Sequence, residues 1–172
     1  MKVQAFAICA YVGAIVAANL LIATYGPAFS IINAFVLIGF DLAVRDYLHD
    51  VWQNHRLQKM SVLIATAGVI SYVANPASGR IALASFVAFI LASLVDWIVY
   101  HYLRDKRWMI RANASNVAGA GADSILFPAV AFGFPLLIPI MIGQFVAKVL
   151  GGFLWSTMIG YARASLGHNR VS

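Results

Sequence analysis

Residues 3–24 contain no charged side chain. A helix rises about 1.5 Å per residue and the hydrocarbon core of a bilayer is about 30 Å thick, so about 20 apolar residues cross it. The run Val3 to Thr24 meets that length, exceeds a signal-peptide core and lacks a cleavage site, so it reads as a permanent span. Five further apolar runs follow: Ala28 to Leu48, Met60 to Ala74 (the shortest), Ile81 to Leu103, Ala112 to Phe132 and Leu136 to Ala162. Turn signals separate three pairs of them, at Tyr25-Gly26-Pro27, Asn75-Pro76-Ala77-Ser78-Gly79 and Gly133-Phe134-Pro135. Backbone polar groups in lipid have to bond internally, and no run shows the two-residue alternation of a barrel strand. The expected fold is therefore all-α: a polytopic transmembrane bundle of six helices, a single integral membrane domain over residues 1–172, without linker or internal repeat.

Composition excludes the soluble alternative. The chain is 62% hydrophobic and 10% charged, against about 45–50% apolar and about 25% charged in soluble domains. Twelve Lys and Arg oppose six acids, all aspartate, for a net charge of +6. Position explains that excess. Lys2, Arg56, Lys59, Arg104, Lys106, Arg107, Arg111, Arg163 and Arg170 fall on one side of the expected bundle, with only Arg80 on the other. Basic connections stay cytoplasmic, so the arrangement is N-in/C-in, in the inner (plasma) membrane, and no nucleic-acid partner is called for. Trp52, Trp108, Tyr47 and Tyr161 fall near the inner interface, and Tyr25 and Phe134 near the outer one, where aromatic rings are favoured.

Function has to be read from polar residues the bilayer normally rejects. A charge at the centre of a span costs about 2.5–3.5 kcal/mol on insertion scales, so it faces a bundle interior or a water-filled cavity. Asp96, Asp123 and Lys148 are such residues. Residues three, four and seven apart share a helix face. Asn116, Gly119, Asp123 and Phe127 form one stripe, and Gln144, Lys148, Gly151 and Trp155 a second. Ser85, Phe89, Ser93, Asp96 and Tyr100 approximate a third, and Asn19 is a further candidate on span one. Carboxylate, amide, ammonium and ring together suit a flat polar heterocycle, with groups for its edge and rings for its faces. The competing reading is interhelical pairing without a ligand.

At the inner end of span two, Asp41, Arg45, Asp46, His49 and Asp50 cluster. Arg45 and Asp46 are expected either as an inner gate or as charges that snorkel to the interface. Gly143, Ala147 and Gly151, and likewise Ala10, Ala14 and Ala18, recur every four residues and let helix backbones approach. The second stripe serves internal packing or docks a partner helix.

Several chemistries are missing from the sequence. It has no Gly-x-x-x-x-Gly-Lys-Ser/Thr loop, no His-Glu-x-x-His site and no Gly-x-Ser-x-Gly elbow. The histidines show no ligand spacing, and the single Cys9 sits in an apolar run. No metal, cofactor or enzymatic activity is expected.

The chain resembles the VUT family of vitamin uptake transporters, which includes queuosine-precursor transporters. The resemblance is carried by Ala18-Asn19-Leu20-Leu21, Tyr25-Gly26, Arg45-Asp46, Ala84-Ser85, Ala88-Phe89, Ser93, Asp96, Val99-Tyr100 and Leu103-Arg104. It is strongest at Ala114-Ser115-Asn116, Gly119, Asp123-Ser124 and Leu126-Phe127, with Ala131-Phe132 beyond. The segment between spans one and two, Gly26-Pro27-Ala28, is shorter than is common there. The resemblance implies import of a 7-deazaguanine precursor of queuosine, such as 7-cyano-7-deazaguanine. Asp123 or Asp96 would accept from the donor edge, Asn116, Gln144 and Lys148 would read the acceptors, and Phe89, Phe127 or Tyr100 would stack. A second reading is the substrate-capture subunit of an importer energised by a separate ATPase, and a third is an assembly protein without ligand. A homo-oligomer is compatible with all three. The segregation of basic residues makes topology testable: a tag at either terminus and a cysteine probe beside Lys106 are expected to react only from the cytoplasmic side, and a C-terminus labelled from outside overturns the N-in/C-in arrangement.

Overall fold

A computed structural model describes residues 2–52 and 54–168, with the side chains at positions 2, 46, 49, 50, 56, 108, 109, 111, 112, 160 and 162–168 outside that description. Asp46, Trp108 and the basic residues Lys2, Arg56, Arg111, Arg163 and Arg170 therefore contribute no side-chain observation. Among the described residues there is no strand. Helix α1 is Lys2–Tyr25. Span two comprises α2, Phe29–Asn33, a π-helical turn at Ala34–Ile38, and α3, Gly39–Val51. The others are α4 (Arg56–Ala74), α5 (Gly79–Tyr102), α6 (Trp108–Phe132) and α7 (Ile138–His168).

The three turn signals end helices by identifiable means. Gly26 and Gly133 take φ of +79° and +77°, conformations that side chains with a Cβ disfavour. Asn75 accepts a hydrogen bond from the Ala77 amide at 3.0 Å and so closes the single 3₁₀ turn Pro76–Ser78 before α5. At the same end of the bundle, Arg80 donates from Nε to the Val130 carbonyl at 3.1 Å, giving one of the orphan carbonyls at the C-terminus of α6 a charged partner.

Among the described residues, four helical segments are long and apolar enough to cross a membrane: Val3–Tyr25, Leu57–Ala74, Pro76–Tyr102 and Ile138–Ile159. Span two and α6 fall short for a physical reason. Span two carries Asp41 and Arg45, and α6 carries Asn113, Asn116 and Asp123, all of which line an internal cavity. Their apolar content is reduced on the face that meets no lipid.

Two apolar seals hold the bundle. Tyr11 and Ile15 of α1, Val44 and Leu48 of α3, Trp52, and Met60 and Ile64 of α4 form one in the half nearest the N-terminus. Ile22 of α1, Ile81, Ala84 and Ala88 of α5, and Phe127 and Ala131 of α6 form the other at the opposite end. The ammonium of Lys59 lies 5.3 Å from the centroid of the buried Trp52 ring, so this tryptophan packs into the core instead of standing in an interfacial belt. Tyr25, Phe134 and Tyr161 are exposed, as a belt requires.

Helix α7 packs along span two through its small residues. A Cβ at Gly143 would lie 2.6 Å from Cδ1 of Ile31, one at Gly39 would lie 2.7 Å from the Gly151 carbonyl carbon, and one at Gly151 would collide with the Phe35 carbonyl oxygen. This seam meets span two at the π turn, where the wider coil places the Phe35 carbonyl against Gly151. Ala14 and Ala18 of α1 are buried within the bundle, so that stripe packs internally. Because the Gly151 contact is with backbone, which cannot rotate aside, Gly151→Ala is expected to lower the melting temperature of the purified protein more than Gly13→Ala, whose added methyl meets nothing within 4 Å. Equal melting temperatures for the two variants would show that the seam is not tight.

Candidate ligand cavity

Helices α5 and α6 form a hairpin packed along its length, whereas α7 packs mainly on α2, the π turn and α3. Between these two bodies lies a cavity of about 1030 Å³. At one end it is closed by the buried Ile22, Ser30 and Phe127. Toward the other end its walls include the exposed residues Leu57, Asn113, Asn116 and Trp97.

The centre of the cavity is an ion pair. Lys148 Nζ of α7 donates to Asp123 Oδ2 of α6 at 2.5 Å, with the lysine side chain 4% and the aspartate 26% exposed. The ammonium also reaches Gln144 Oε1 at 3.4 Å. Gln144 in turn donates from Nε2 to Ser30 Oγ at 2.8 Å, and Ser30 donates to the Pro27 carbonyl at 2.5 Å. A chain of polar contacts thus runs from α6 through α7 to the start of α2. An ammonium removed from water is tolerable only when its charge and its three donors find such partners.

A second polar knot ties α1, α4 and α5. Asn19 donates from Nδ2 to Ser71 Oγ at 3.2 Å and accepts at Oδ1 from Ser85 Oγ at 2.9 Å. Both ends of this amide are engaged, which favours a role in holding the helices. On α2, Asn33 donates to the Ala18 carbonyl at 3.3 Å, and its buried Oδ1 has no hydrogen-bond partner among the described residues.

The α6 stripe faces the cavity in full: Asn116, Gly119, Asp123 and Phe127 all line it. On α5, Ser85, Phe89, Ser93 and Asp96 line it and Tyr100 does not. Tyr100, one turn beyond Asp96, approaches the His101 ring instead, 6.4 Å between centroids. On α7, Gln144 and Lys148 line the cavity, but Gly151 packs on Phe35 and Trp155 sits edge-on to Phe40 at 5.1 Å. The residues that continue the α7 lining are Gly152 and Ser156. Asn19 and Arg45 also line the cavity, while the side chain of Asp46 lies outside the described residues. Lining residues that the stripes passed over include Ser30, Asn33 and Asn113. Ser30 and Asn33 are three apart in an otherwise apolar run, and that spacing was the available signal. No cluster of potential metal ligands occurs among the described residues.

A helical bundle around a partly closed cavity, apolar over most of its wall with polar groups from several helices, has room for a small molecule. Residues 4–162 match the family described as "Putative vitamin uptake transporter", and the chain belongs to that family. It is also similar to a protein of Haemophilus influenzae named "Probable queuosine precursor transporter", at 41% identity over 54 residues. That stretch covers 31% of this chain and 23% of the relative, so the match spans under a quarter of the relative's length. No solved structure matches.

The ion pair can be tested by a double-mutant cycle. Removing one partner of a buried pair costs about 3–5 kcal/mol, whereas removing both relieves much of that loss. Asp123→Asn and Lys148→Met are each expected to depress the melting temperature strongly, and the double variant to recover part of the loss. Additive losses would show that the two groups are not coupled.

Proposed function

We propose that this protein imports a 7-deazaguanine precursor of queuosine, such as 7-cyano-7-deazaguanine, across the inner (plasma) membrane. Membership of a family of vitamin uptake transporters supports import of a small molecule. The name of the Haemophilus influenzae relative supports the queuosine-precursor class. The observation that carries the reading is the composition of the cavity wall. Carboxylates, amides, an ammonium, a guanidinium and three phenylalanine rings surround one space between helices. A deazaguanine presents N–H donors and a carbonyl on its edge and an aromatic face, and each has a complement there.

With both termini cytoplasmic, the wall bearing Asn113 and Leu57 faces the cytoplasm, and the seal of Ile22, Ala84 and Phe127 faces outward. The conformation is then an inward-open one, from which substrate is released. A capture subunit serving a separate ATPase is not favoured: the span-one stripe left open for a coupling partner is occupied within the bundle by Ala14 and Ala18.

Reconstitution of the purified chain in liposomes tests the proposal. Labelled 7-cyano-7-deazaguanine is expected to enter protein-containing vesicles faster than empty ones, with labelled guanine entering more slowly. Identical entry with and without protein overturns import by this chain alone.

A further inference from the structure

We propose that Asp96 and Arg45, and not Asp123 and Lys148, read the hydrogen-bonding edge of the ligand. This rests on the reading of the cavity as a site for a guanine-type base. In the open half of the cavity the Asp96 carboxylate accepts two N–H groups of that base and the Arg45 guanidinium donates to its ring carbonyl. Gly119 is the residue that positions Asp96.

The assignment follows from which polar groups are already engaged. Asp123 holds Lys148, and Lys148 also reaches Gln144. The Gln144 amide is occupied at both ends, as is that of Asn19. Asp41, one turn from Arg45 on the same helix, also lines the cavity and has interactions of its own. Among the polar groups of the wall, Asp96 Oδ1, Arg45 Nε and Asn33 Oδ1 are buried atoms without a hydrogen-bond partner among the described residues, and of these Asp96 and Arg45 carry charge. Leaving a buried charged group short of partners is unfavourable, so these two groups have capacity for the hydrogen bonds of a ligand.

Their placement suits one planar molecule. Arg45 lies about 24 Å along span two from Phe29, and Asp96 about 26 Å along α5 from Gly79, so the two opposite charges stand at similar depth. Both line the cavity, from helices that form no packed seam with each other. Asp123 and Lys148 lie about 14 and 15 Å from the Phe132 and Ile138 ends of their helices, so the satisfied pair sits a layer nearer the sealed end. Phe89 stands seven residues before Asp96 on the same lining face and offers a ring toward the same space. A carboxylate facing a guanidinium complements an edge that carries two N–H donors beside a carbonyl. Such an edge is found on guanine-type bases and not on hypoxanthine-type bases, which lack the amine.

Gly119 sets the position of Asp96. A Cβ there would lie 3.3 Å from the Asp96 Cβ and 3.4 Å from the Ala92 carbonyl oxygen. An added methyl pushes α5 and the carboxylate aside without removing any polar group.

The test is binding of 7-cyano-7-deazaguanine and 7-cyano-7-deazahypoxanthine to the full chain in lipid nanodiscs, with a melting curve for each variant. The wild type is expected to prefer the amine-bearing base by roughly 10-fold or more. Asp96→Asn and Gly119→Ala are expected to collapse that preference, and Arg45→Gln to weaken both bases alike. Should Asp96→Asn fail to fold, Gly119→Ala supplies the same ratio from a protein with every charge in place. A preference unchanged in Asp96→Asn or Gly119→Ala overturns the assignment while leaving the transport reading standing. A wild-type protein that binds neither base overturns both.

Discussion

Lys148 needs counter-charge within a span, and much of the bundle is arranged around that need. Its ammonium is held by Asp123 of α6 and by Gln144 one turn away on its own helix, and Gln144 is anchored to Ser30 of α2. For Gln144 to reach Ser30, α7 has to lie close along span two. The glycine seam makes that approach sterically possible: Gly143 clears Ile31, and Gly151 clears the backbone at Phe35. A side chain at either place would separate the helices and stretch the polar chain. The electrostatic requirement and the small-residue pattern are therefore parts of one constraint, since the first demands proximity and the second permits it.

The same arrangement produces the cavity. Once α7 is committed to span two, it meets α6 over a shorter seam, with the Asp123–Lys148 pair among the links. The α5–α6 hairpin, whose own two helices are clasped by Arg80 on the Val130 carbonyl, is otherwise fastened to α4 through α5 and to α1 by the apolar cluster around Phe127. The cavity is the space left between the hairpin and α7. The π turn in span two lies beside the seam with α7.

Some of this was legible from residue order alone. The apolar runs, their Gly- and Pro-containing breaks and the stripe Asn116, Gly119, Asp123, Phe127 all point to the elements and to the α6 face that lines the cavity. That Asp123 and Lys148, opposite in sign, are charges within spans was legible as well. Other features were not legible. Asn19 was a ligand candidate because an amide in a span is unusual, but Ser71 and Ser85, 52 and 66 residues away in sequence, engage both of its ends. The α7 stripe through Gly151 and Trp155 was one plausible row, yet the row through Gly152 and Ser156 is the one that faces the cavity. Arg45 stood next to Asp46 in sequence, whereas the acids that line its cavity are Asp41 one turn away and Asp96 and Asp123 on other spans.

The sequence by itself determined that this is a helical membrane protein, where its helices break and how deep each polar residue lies, because length, charge exclusion and a fixed rise per residue are properties of a single helix in lipid. The tertiary structure alone decided which polar groups engage one another and which line the cavity. Depth is set by counting residues, but the direction a side chain faces is set by the neighbouring helix. Residue order lets a row continue at either i+3 or i+4, positions about 100° apart around the helix, so contacts such as Gly151 against Phe35 select between them.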